Sequence, residues 1–363
     1  MKRFKIITVV GNRPHFIKAA ALNLAIKTDG SFEEILVHSG QHYDDGLSAQ
    51  FFQEFDLCEP KYFLEIGSAT QNIQIGRCLQ SLDPVLVREA PDLVTVFGDT
   101  NTTAAAALAA ANRNIPVAHV EAGLREFNKL VPEEINKLVT DAVADLYFAP
   151  TRTAVDNLVA QGIVDHVYQT GDVTLDLLVG EHTRYLSEQE LRSELGLDGP
   201  YIFLTCHRVA NTETKGRLQA ILSALPKAGI PIVFPIHPRT QAAIKKSNLQ
   251  PYIDGPEWKV LDPIGFWKTQ SLIRHAEVVV TDSGGLIKES YFHQVPCVTI
   301  DDQTEWVETI EEGWNILAGA DRNRIMEAVK SRTKPSEYLE SLGNGQAGHK
   351  IVTAMNKYLD ARR

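Results

Sequence analysis

Residues 93–125 read LVTVFGDTNTTAAAALAAANRNIPVAHVEAGLR, in which two short apolar runs flank an alanine-rich stretch. The runs at 93–97 and 117–120 are rich in β-branched residues and are bounded by Gly or Pro, so each predicts a buried strand. Residues 102–112 between them carry apolar side chains at helical spacing and predict a helix. A strand, a helix and a second strand in this order predict two strands of one parallel sheet.

The same alternation extends in both directions along the chain. In the first half it predicts further strands at 6–10, 34–39 and 146–149, and helices at 14–27, 72–89 and 151–161. After Asp172 the pattern restarts, with strands at 201–205, 231–236, 260–261, 278–281 and 297–300 and helices at 187–194, 216–225, 264–275, 286–292, 323–332 and 351–359. The sequence therefore predicts an α/β fold of two doubly wound parallel sheets, with an N-terminal domain at 1–172 and a second domain at 173–345.

Composition narrows the class of protein. The chain has 363 residues, enough for two domains, and its net charge of −10 disfavours a nucleic-acid-binding surface. Its four cysteines, Cys58, Cys78, Cys206 and Cys297, have neither disulfide-motif nor zinc-ligand spacing, and we interpret them as buried small residues in a reducing compartment. No apolar stretch approaches the ~20 residues that span a bilayer, so we expect a cytoplasmic protein that binds no membrane.

Polar segments follow the predicted strands, at the sheet edge where parallel sheets bind ligands. They are Gly11-Asn12-Arg13-Pro14-His15 with Lys18 one turn later, 98–102, 119–125, 132–136, 206–208, 237–240 and 282–285. None is a dinucleotide fingerprint, because GNRPHF at 11–16 lacks the second and third glycines, and no Walker A sequence is present.

Most of these segments also have a purely structural interpretation. Asn12 and Asp99 are residue types that cap helices, Glu133 and Glu134 are placed to complement a helix dipole, and His237 precedes a proline that could simply end a strand. The segment 282–285 favours function more strongly. There, a Val-Val-Val-Thr strand is followed by two glycines at a helix start, which allows the backbone to approach a phosphate.

The ordered motifs resemble one enzyme family, the non-hydrolysing UDP-N-acetylglucosamine 2-epimerases. The motifs are GNRPHFIK, SGQHYD, FGDTNTTAAAALAA, HVEAGLR, VPEEINKLVTD, TCHRVANTE, PIHPRT, TDSGGLIKES and DQTEWVETIEEGWNIL, and they extend to about Leu317. The resemblance implies a glycosyltransferase-B-like fold of two Rossmann-like domains, with the active site in the cleft between them. It also implies that residues 346–363 form a helix packing back on the N-terminal domain, and that the protein is a homodimer.

The resemblance assigns roles to individual residues. Asp99, Glu121 and Glu133 match carboxylates of proton transfer, and Arg13 and Lys18 match basic residues of the phosphate and catalytic region. His207 matches a histidine near the diphosphate. The remaining matches concern UDP: Ser283, Gly284 and Gly285 form the diphosphate-binding turn, Glu289 holds the ribose, and His237, Arg239, Phe266 and Asp302 are further UDP-binding residues.

Three positions depart from the family pattern. His15 stands where most family members have an acidic or small residue, and Lys137 stands where they usually have arginine. Glu305-Trp306-Val307-Glu308 replaces the usual Glu-Arg-Pro-Glu. The last change resembles the subgroup that acts on UDP-2,3-diacetamido-2,3-dideoxy-glucuronic acid. Trp306 either packs against an extra sugar substituent or fills core space beside Trp314, and a uronate carboxylate would need a cation from Arg125 or Lys137.

The implied reaction explains why both carboxylates and cations are needed. The sugar C2–H is a poor acid because no carbonyl adjoins it. The resemblance implies that UDP first leaves C1, which gives a 2-acetamidoglycal. C2 is then protonated from the other face, and UDP adds back to C1. This chemistry predicts no metal and no nicotinamide. A UDP-sugar-dependent glycosyltransferase, a hydrolysing epimerase and a non-catalytic nucleotide-sugar sensor remain alternatives. Carboxylates at 44–45 predict no allosteric activation by UDP-N-acetylglucosamine.

Overall fold

The computed structural model describes residues 3–41, 54–55 and 57–363. By contacts it divides into two compact units. The first comprises Met1–Glu181 with Glu340–Arg363, and the second comprises His182–Leu339. Each unit is built around its own parallel sheet, so the predicted α/β class with two doubly wound sheets is confirmed.

The first unit contains seven described strands in one sheet. They are β1 (Phe4–Val10), β2 (Phe32–His38), β3 (Tyr62–Phe63), β4 (Leu93–Phe97), β5 (Val117–Val120), β6 (Leu146–Ala149) and β7 (Val167–Gln169). The described helices of this unit are α1 (Arg13–Asp29), α2 (Gln71–Glu89), α3 (Asn101–Ala111), α4 (Pro132–Val143), α5 (Arg152–Ala160) and α6 (Val173–Gly180). The strand order is β3-β2-β1-β4-β5-β6-β7 and all neighbours are parallel, so the order reverses between β1 and β4.

The second unit repeats this plan. Its strands are β8 (Ile202–Thr205), β9 (Ile232–Pro235), β10 (Trp258–Leu261), β11 (Val278–Thr281), β12 (Cys297–Thr299) and β13 (Asn315–Leu317). Its described helices are α7 (Glu188–Leu195), α8 (Val209–Thr212), α9 (Lys215–Ala224), α10 (Pro238–Lys246), α11 (Phe266–Arg274), α12 (Gly284–Phe292), α13 (Val307–Glu311) and α14 (Arg322–Ser331). The parallel order β10-β9-β8-β11-β12-β13 reverses between β8 and β11, which marks the ligand-binding edge of such a sheet.

The central strands are continuous apolar runs because helices cover both faces of each sheet. In β4 and β11 every residue is buried. The predictions missed β3, β7 and β13, each two or three residues long at a sheet edge and only partly buried. Such strands have too few buried β-branched residues to produce a sequence signal.

The contact boundary lies at Glu181, beyond the predicted domain end at 172. Helix α6 follows that predicted end and packs on α1, so its contacts belong to the first unit. Helix α15 (Ala347–Asp360) also packs on α1 and α6. The Asp176 carboxylate in α6 accepts hydrogen bonds from the amides of Ala347 and Gly348, at 3.0 and 2.7 Å.

The cysteines are all thiols. Cys78, Cys206 and Cys297 are buried, as predicted, and burial raises the pKa of Cys78 and of Cys297 to about 12. The prediction was wrong for Cys58, which is exposed because it lies on the loop segment before β3. None of the helices in the described part of the chain is long and apolar enough to cross a membrane.

Candidate active site

The end of β1 places two basic side chains on the first turns of α1. Asn12 caps this helix and accepts a hydrogen bond from the His15 amide at 3.2 Å, so its structural interpretation holds. Arg13 is exposed on the first turn, whereas Lys18, one turn further, is buried. His15 is buried too, with Nε2 3.3 Å from the Thr100 hydroxyl. The buried position of Lys18 directs its ammonium toward the neighbouring strand ends.

Lys18 forms an ion pair with Glu121, which directly follows β5. Each of the two side chains is only 10% exposed. Glu121 has φ +72°, a left-handed conformation that is uncommon outside glycine and stores strain, and its amide donates to the Phe148 carbonyl at 3.0 Å. Gly98, also at positive φ, leaves room for this ion pair. A Cβ at position 98 would lie 3.1 Å from the Lys18 ammonium and 3.2 Å from the Glu121 carboxylate.

A second lysine–carboxylate pair lies at the end of β4. The Lys137 ammonium, on the buried side of α4, is 3.7 Å from the carboxylate of Asp99. The Asp99 side chain is 32% exposed, so it remains accessible to a ligand. The cap of α3 is Thr100, whose hydroxyl accepts from the Thr103 amide, so the helix-cap interpretation of Asp99 was wrong. Two neighbouring strand ends therefore each present a carboxylate beside a lysine.

The two glutamates at the start of α4 differ in environment. Glu133 is exposed on the first turn. Glu134 is buried and accepts hydrogen bonds from the amides of Glu126 and Phe127, at 2.9 and 3.2 Å. Glu134 therefore organises the loop before α4, and Glu133 is the one that remains accessible.

Behind β4 and β5 lies a buried charged cluster that sequence analysis missed. The Asp141 carboxylate of α4 lies 2.6 Å from His119 Nδ1 and accepts a 2.6 Å hydrogen bond from Arg125. Arg125, predicted as a substrate cation, is buried and turned toward Asp141. Burial raises the pKa of Asp141, but the charges of His119 and Arg125 outweigh burial and hold this pKa below its ordinary value.

His119 connects this cluster to the Asp99 turn. Its Nδ1 lies against the Asp141 carboxylate and its Nε2 lies 2.8 Å from the Gly98 carbonyl. A carbonyl oxygen only accepts hydrogen bonds, so Nε2 donates to Gly98. The cluster thus holds the carbonyl of the residue before Asp99. In the sequence, Asp141 is simply one charged residue, and nothing beside it indicates a buried cluster.

In the second unit, Asp282 organises the strand ends. It follows β11, is 1% exposed, and accepts hydrogen bonds from the amides of His207 and Arg208 at 2.9 Å and from the Asn211 side chain at 3.0 Å. The sequence predicts function for segment 282–285 as a whole but no separate role for Asp282, although a carboxylate directly after a buried strand is a usable signal. Asp282 fixes the loop that carries His207.

Histidine and arginine side chains gather beside that loop. The His207 and His237 rings have centroids 5.4 Å apart, and Arg239 donates to the His207 carbonyl at 3.0 Å. His237 caps α10 by accepting from the Arg239 amide at 3.1 Å. Burial lowers the pKa of His237, and the charges of His207 and Arg239 lower it further. The structure therefore brings together three predicted residues, His207, His237 and Arg239.

The start of α12 offers backbone donors. Ser283 occupies the cap position, its amide donates to the Thr281 hydroxyl at 2.9 Å, and among the described residues its side chain makes no capping bond. The first N–H groups of a helix lack intrahelical partners and favour anions. Residues 283–286 are partly exposed, so a ligand can reach these groups.

Glu289 lies one turn further along α12 and is buried. It accepts a 2.6 Å hydrogen bond from Gln270 of α11, whose amide oxygen lies 3.0 Å from His293 Nε2. Burial lowers the pKa of His293 to about 3, so this ring is neutral and donates to Gln270. Gln270 thereby orients Glu289, a role that sequence spacing did not indicate.

The remaining predicted residues are more dispersed. Phe266 is buried at the start of α11, edge-on to Trp267. Asp302 is exposed and accepts from Arg217 at 3.0 Å. Trp306 is 1% exposed, with the Lys288 ammonium 5.1 Å from its ring centroid, which leaves little ring surface for a sugar substituent. The motif residues 42–45 lie outside the described part of the chain.

A family model described as UDP-N-acetylglucosamine 2-epimerase matches residues 24–356. The chain belongs to this family. It is 41% identical to a UDP-N-acetylglucosamine 2-epimerase homolog of Methanococcus maripaludis, over 97% of this chain and 99% of that protein. It is 40% identical, over 97% and 99%, to a UDP-2,3-diacetamido-2,3-dideoxy-D-glucuronate 2-epimerase of Pseudomonas aeruginosa.

A solved structure of a family member also matches the chain. It is the UDP-GlcNAc 2-epimerase of Methanocaldococcus jannaschii in complex with UDP-GlcNAc and UDP, with a TM-score of 0.90 at 35% identity over 97% of this chain and 99% of that one. The match confirms the predicted family and its glycosyltransferase-B-like fold class. Within the described ranges of this epimerase-family chain, no group of three or more His, Cys, Asp or Glu side chains is placed to hold a metal ion.

Proposed function

We propose that this protein is a non-hydrolysing C2 epimerase that interconverts UDP-GlcNAc and UDP-N-acetylmannosamine. The observation that carries the proposal is the pair of lysine–carboxylate contacts at neighbouring strand ends, Lys18 with Glu121 and Lys137 with Asp99, in a member of this family. Acid–base chemistry at C2 needs two proton-transfer groups, because the proton leaves one face of the sugar and returns to the other.

In the proposed reaction, side chains of the first unit remove the C2 proton and return one to the other face. The C1–O bond breaks, its electron pair leaves with UDP, and a carboxylate takes the C2 proton as the C1–C2 double bond of the glycal forms. In the return step a second carboxyl group, which carries a proton taken from solvent, gives that proton to C2 from the opposite face. The electron pair of the C1–C2 double bond forms the new C2–H bond, and a UDP oxygen bonds to C1. A neighbouring ammonium favours the charged form of a carboxylate, the form that accepts a proton. Glu121 and Asp99 are the proposed pair, with the exposed Glu133 as a third participant.

The second unit holds the leaving group in this proposal. The first-turn N–H groups of α12, with His207 and Arg239, stabilise the charge that develops on the diphosphate. The carboxylate of Glu289, oriented by Gln270, accepts hydrogen bonds from the ribose hydroxyls. Holding free UDP between the two steps is what separates epimerisation from hydrolysis.

Incubation of the protein with UDP-GlcNAc alone tests the proposal. Proton NMR of the anomeric region is expected to show UDP-N-acetylmannosamine appearing without an acceptor or an added cofactor. A requirement for an acceptor would indicate a glycosyltransferase, and accumulation of UDP with free N-acetylmannosamine would indicate a hydrolysing epimerase. Either result would contradict the proposal.

A second substrate, UDP-2,3-diacetamido-2,3-dideoxy-glucuronic acid, is favoured by the 40% identical Pseudomonas aeruginosa relative and by Trp306 in place of the usual arginine. A uronate carboxylate would need a cation. Of the two cations predicted for it, Lys137 lies beside Asp99, whereas Arg125 is turned into the core. The same NMR assay with this substrate, compared by kcat/KM, decides between the two sugars.

The proposal extends to a cytoplasmic homodimer that supplies precursors of cell-surface polysaccharides. The family resemblance supports the dimer. The four free thiols support a reducing compartment. Sedimentation equilibrium of the purified protein tests the dimer, and a sedimenting mass of one chain at micromolar concentration would contradict it.

A further inference from the structure

The indole N–H of Trp306 is buried without a hydrogen-bond partner among the described residues. The side chain is 1% exposed, so water reaches little of it. A buried donor that stays unpaired destabilises a protein, and such groups are accordingly rare in native structures. This N–H therefore calls for an acceptor that is not part of the described chain.

The unpaired N–H lies beside the start of α12. Trp306 Nε1 is 3.5 Å from the position that a Cβ of Gly284 would occupy. Gly284 is the first residue of that helix, whose cap residue makes no side-chain capping bond within the described chain. The free backbone N–H groups and the indole N–H thus border the same small space, which glycine leaves open.

The charges around this space are mixed but mainly positive. Arg208 Nη2 is 4.0 Å from the same Gly284 Cβ position, and a Glu305 carboxylate oxygen is 3.8 Å from it. Lys288 lies four residues after Gly284, on the same face of α12, and its ammonium lies over the Trp306 ring. A guanidinium, an ammonium and a helix N-terminus together favour an anion with several oxygens.

We infer that Trp306 is a ligand-binding residue whose indole N–H donates a hydrogen bond to a diphosphate oxygen held at the start of α12. The inference rests on the proposed function, because UDP is the diphosphate that the proposal supplies. It replaces the interpretation in which the ring packs against a sugar substituent. The buried ring packs under Lys288, and the edge that carries the N–H is the part that meets the ligand.

Isothermal titration with UDP and with uridine tests this role. Trp306→Phe keeps an aromatic ring beneath Lys288 and removes the N–H donor together with the second ring of the indole. Hydrogen bonds to charged groups contribute enough that UDP is expected to bind about tenfold to a hundredfold more weakly to the variant. Uridine, which lacks the diphosphate, is expected to bind both proteins alike. Trp314→Phe is the matched control, since Trp314 donates instead to the Glu337 carbonyl at 3.2 Å.

Nitrogen-15 NMR of the indole groups supplies a readout in the unmodified chain, should the variant fold poorly. The Trp306 indole proton, assigned by its loss in Trp306→Phe or by selective labelling, is expected to move downfield when UDP is added. The Trp314 signal is expected to stay in place.

The outcomes separate the two claims. If wild type binds UDP while Trp306→Phe binds it equally well, or if the Trp306 signal does not move, the inference is overturned and the proposed function stands. If wild type binds neither UDP nor inorganic pyrophosphate, both fall. A loss of UDP affinity confined to Trp306→Phe supports the inference.

Discussion

The ends of β4 and β11 are equivalent positions in the two units, yet each gives its aspartate a different task. Asp99 follows β4 after one intervening glycine, and its side chain is 32% exposed beside Lys137. Asp282 follows β11 directly, is 1% exposed, and accepts the amides of His207 and Arg208. One residue of offset, with Gly98 at positive φ, separates an accessible carboxylate from one that holds the loop carrying His207.

This difference extends to the whole of each strand-end cluster. In the first unit the strand ends present two carboxylates, each beside a lysine, of which Asp99 is the more exposed. In the second unit the carboxylate is turned inward, and the accessible groups are N–H donors, histidines and arginine. Parallel sheets bind ligands at this edge. In the proposed function, the direction of one side chain at each strand end decides whether that place transfers protons or holds anions.

The largest expected effect comes from Glu121→Gln in the first unit. Removing a general acid or base is expected to lower kcat by about 10²-fold to 10⁴-fold. UDP affinity is expected to stay at the wild-type value, because the proposed function assigns UDP binding to the second unit. Asp99→Asn and Glu133→Gln are expected to behave alike. Turnover by NMR and UDP affinity by calorimetry measure the two quantities. Asp156→Asn, which alters an exposed ion pair, is the control. Full turnover in all three variants would show that the strand-end carboxylates of the first unit do not transfer protons.

A large effect on stability is expected from Asp141→Asn. The change leaves the Arg125 guanidinium buried without its counter-charge and removes the carboxylate beside His119, which is expected to lower the free energy of unfolding by about 3–5 kcal/mol. Urea denaturation measures the loss, and hydrogen exchange in β4 and β5 is expected to locate it in the first unit. Asp83→Asn breaks an exposed pair with Arg113 and is expected to change stability little. Equal stability of both variants would show that the buried cluster is not needed.

Glu121→Gln is expected to lower kcat and leave UDP affinity unchanged, whereas Asp282→Asn is expected to lower UDP affinity. An asparagine amide presents N–H groups to the backbone donors that the carboxylate accepts, so the loop carrying His207 is expected to shift. UDP affinity should fall about tenfold or more, because buried donors left unsatisfied cost about 1–3 kcal/mol. Calorimetry with UDP measures this, with Asp254→Asn on an exposed turn as the control. Unchanged UDP affinity with reduced turnover would contradict the division between the units.

The smallest expected effect is one that the two units share. Burial lowers the pKa of His38 in the first unit to about 4 and that of His293 in the second to about 3, from an ordinary 6.5. As pH falls below 6.5, the unfolded chain binds protons that the native one does not, so stability falls with pH. At pH 5.5 each histidine is expected to reduce stability by about 1 kcal/mol relative to neutral pH.

Urea denaturation between pH 7.5 and 5.5 tests this linkage. His38→Gln and His293→Gln are each expected to flatten the pH dependence, and His182→Gln, at an exposed site, is expected to leave it unchanged. A wild-type stability that does not change over this range would show that neither buried histidine is neutral in the fold.

The sequence predicts the structure correctly where a residue's environment follows from the residues next to it in the chain. The strands at 93–97, 117–120, 146–149 and 278–281 were predicted to the residue, because each is a fully buried β-branched or apolar run between polar or turn residues. Asp99 and Glu121 were located by the same argument, since a strand end places the next polar residue at the ligand-binding edge.

The groups that sequence missed depend on contacts between distant elements. Asp141 and Gln270 lie within helices, where nothing local indicates that one meets His119 and the other Glu289. The unpaired N–H of Trp306 becomes visible only when its distance to Gly284 is known. Arg125 follows a strand end, as a ligand-binding residue would, but burial turns it toward Asp141.

The most direct test of the division between proton transfer and anion binding is epimerisation of UDP-GlcNAc in D₂O, followed by NMR at C2. The account predicts that the product pool acquires deuterium at C2 as it epimerises, because a carboxylate that has taken the proton exchanges it with solvent. It also predicts that Glu121→Gln slows this exchange together with turnover. Full retention of protium at C2 through many turnovers would contradict the account.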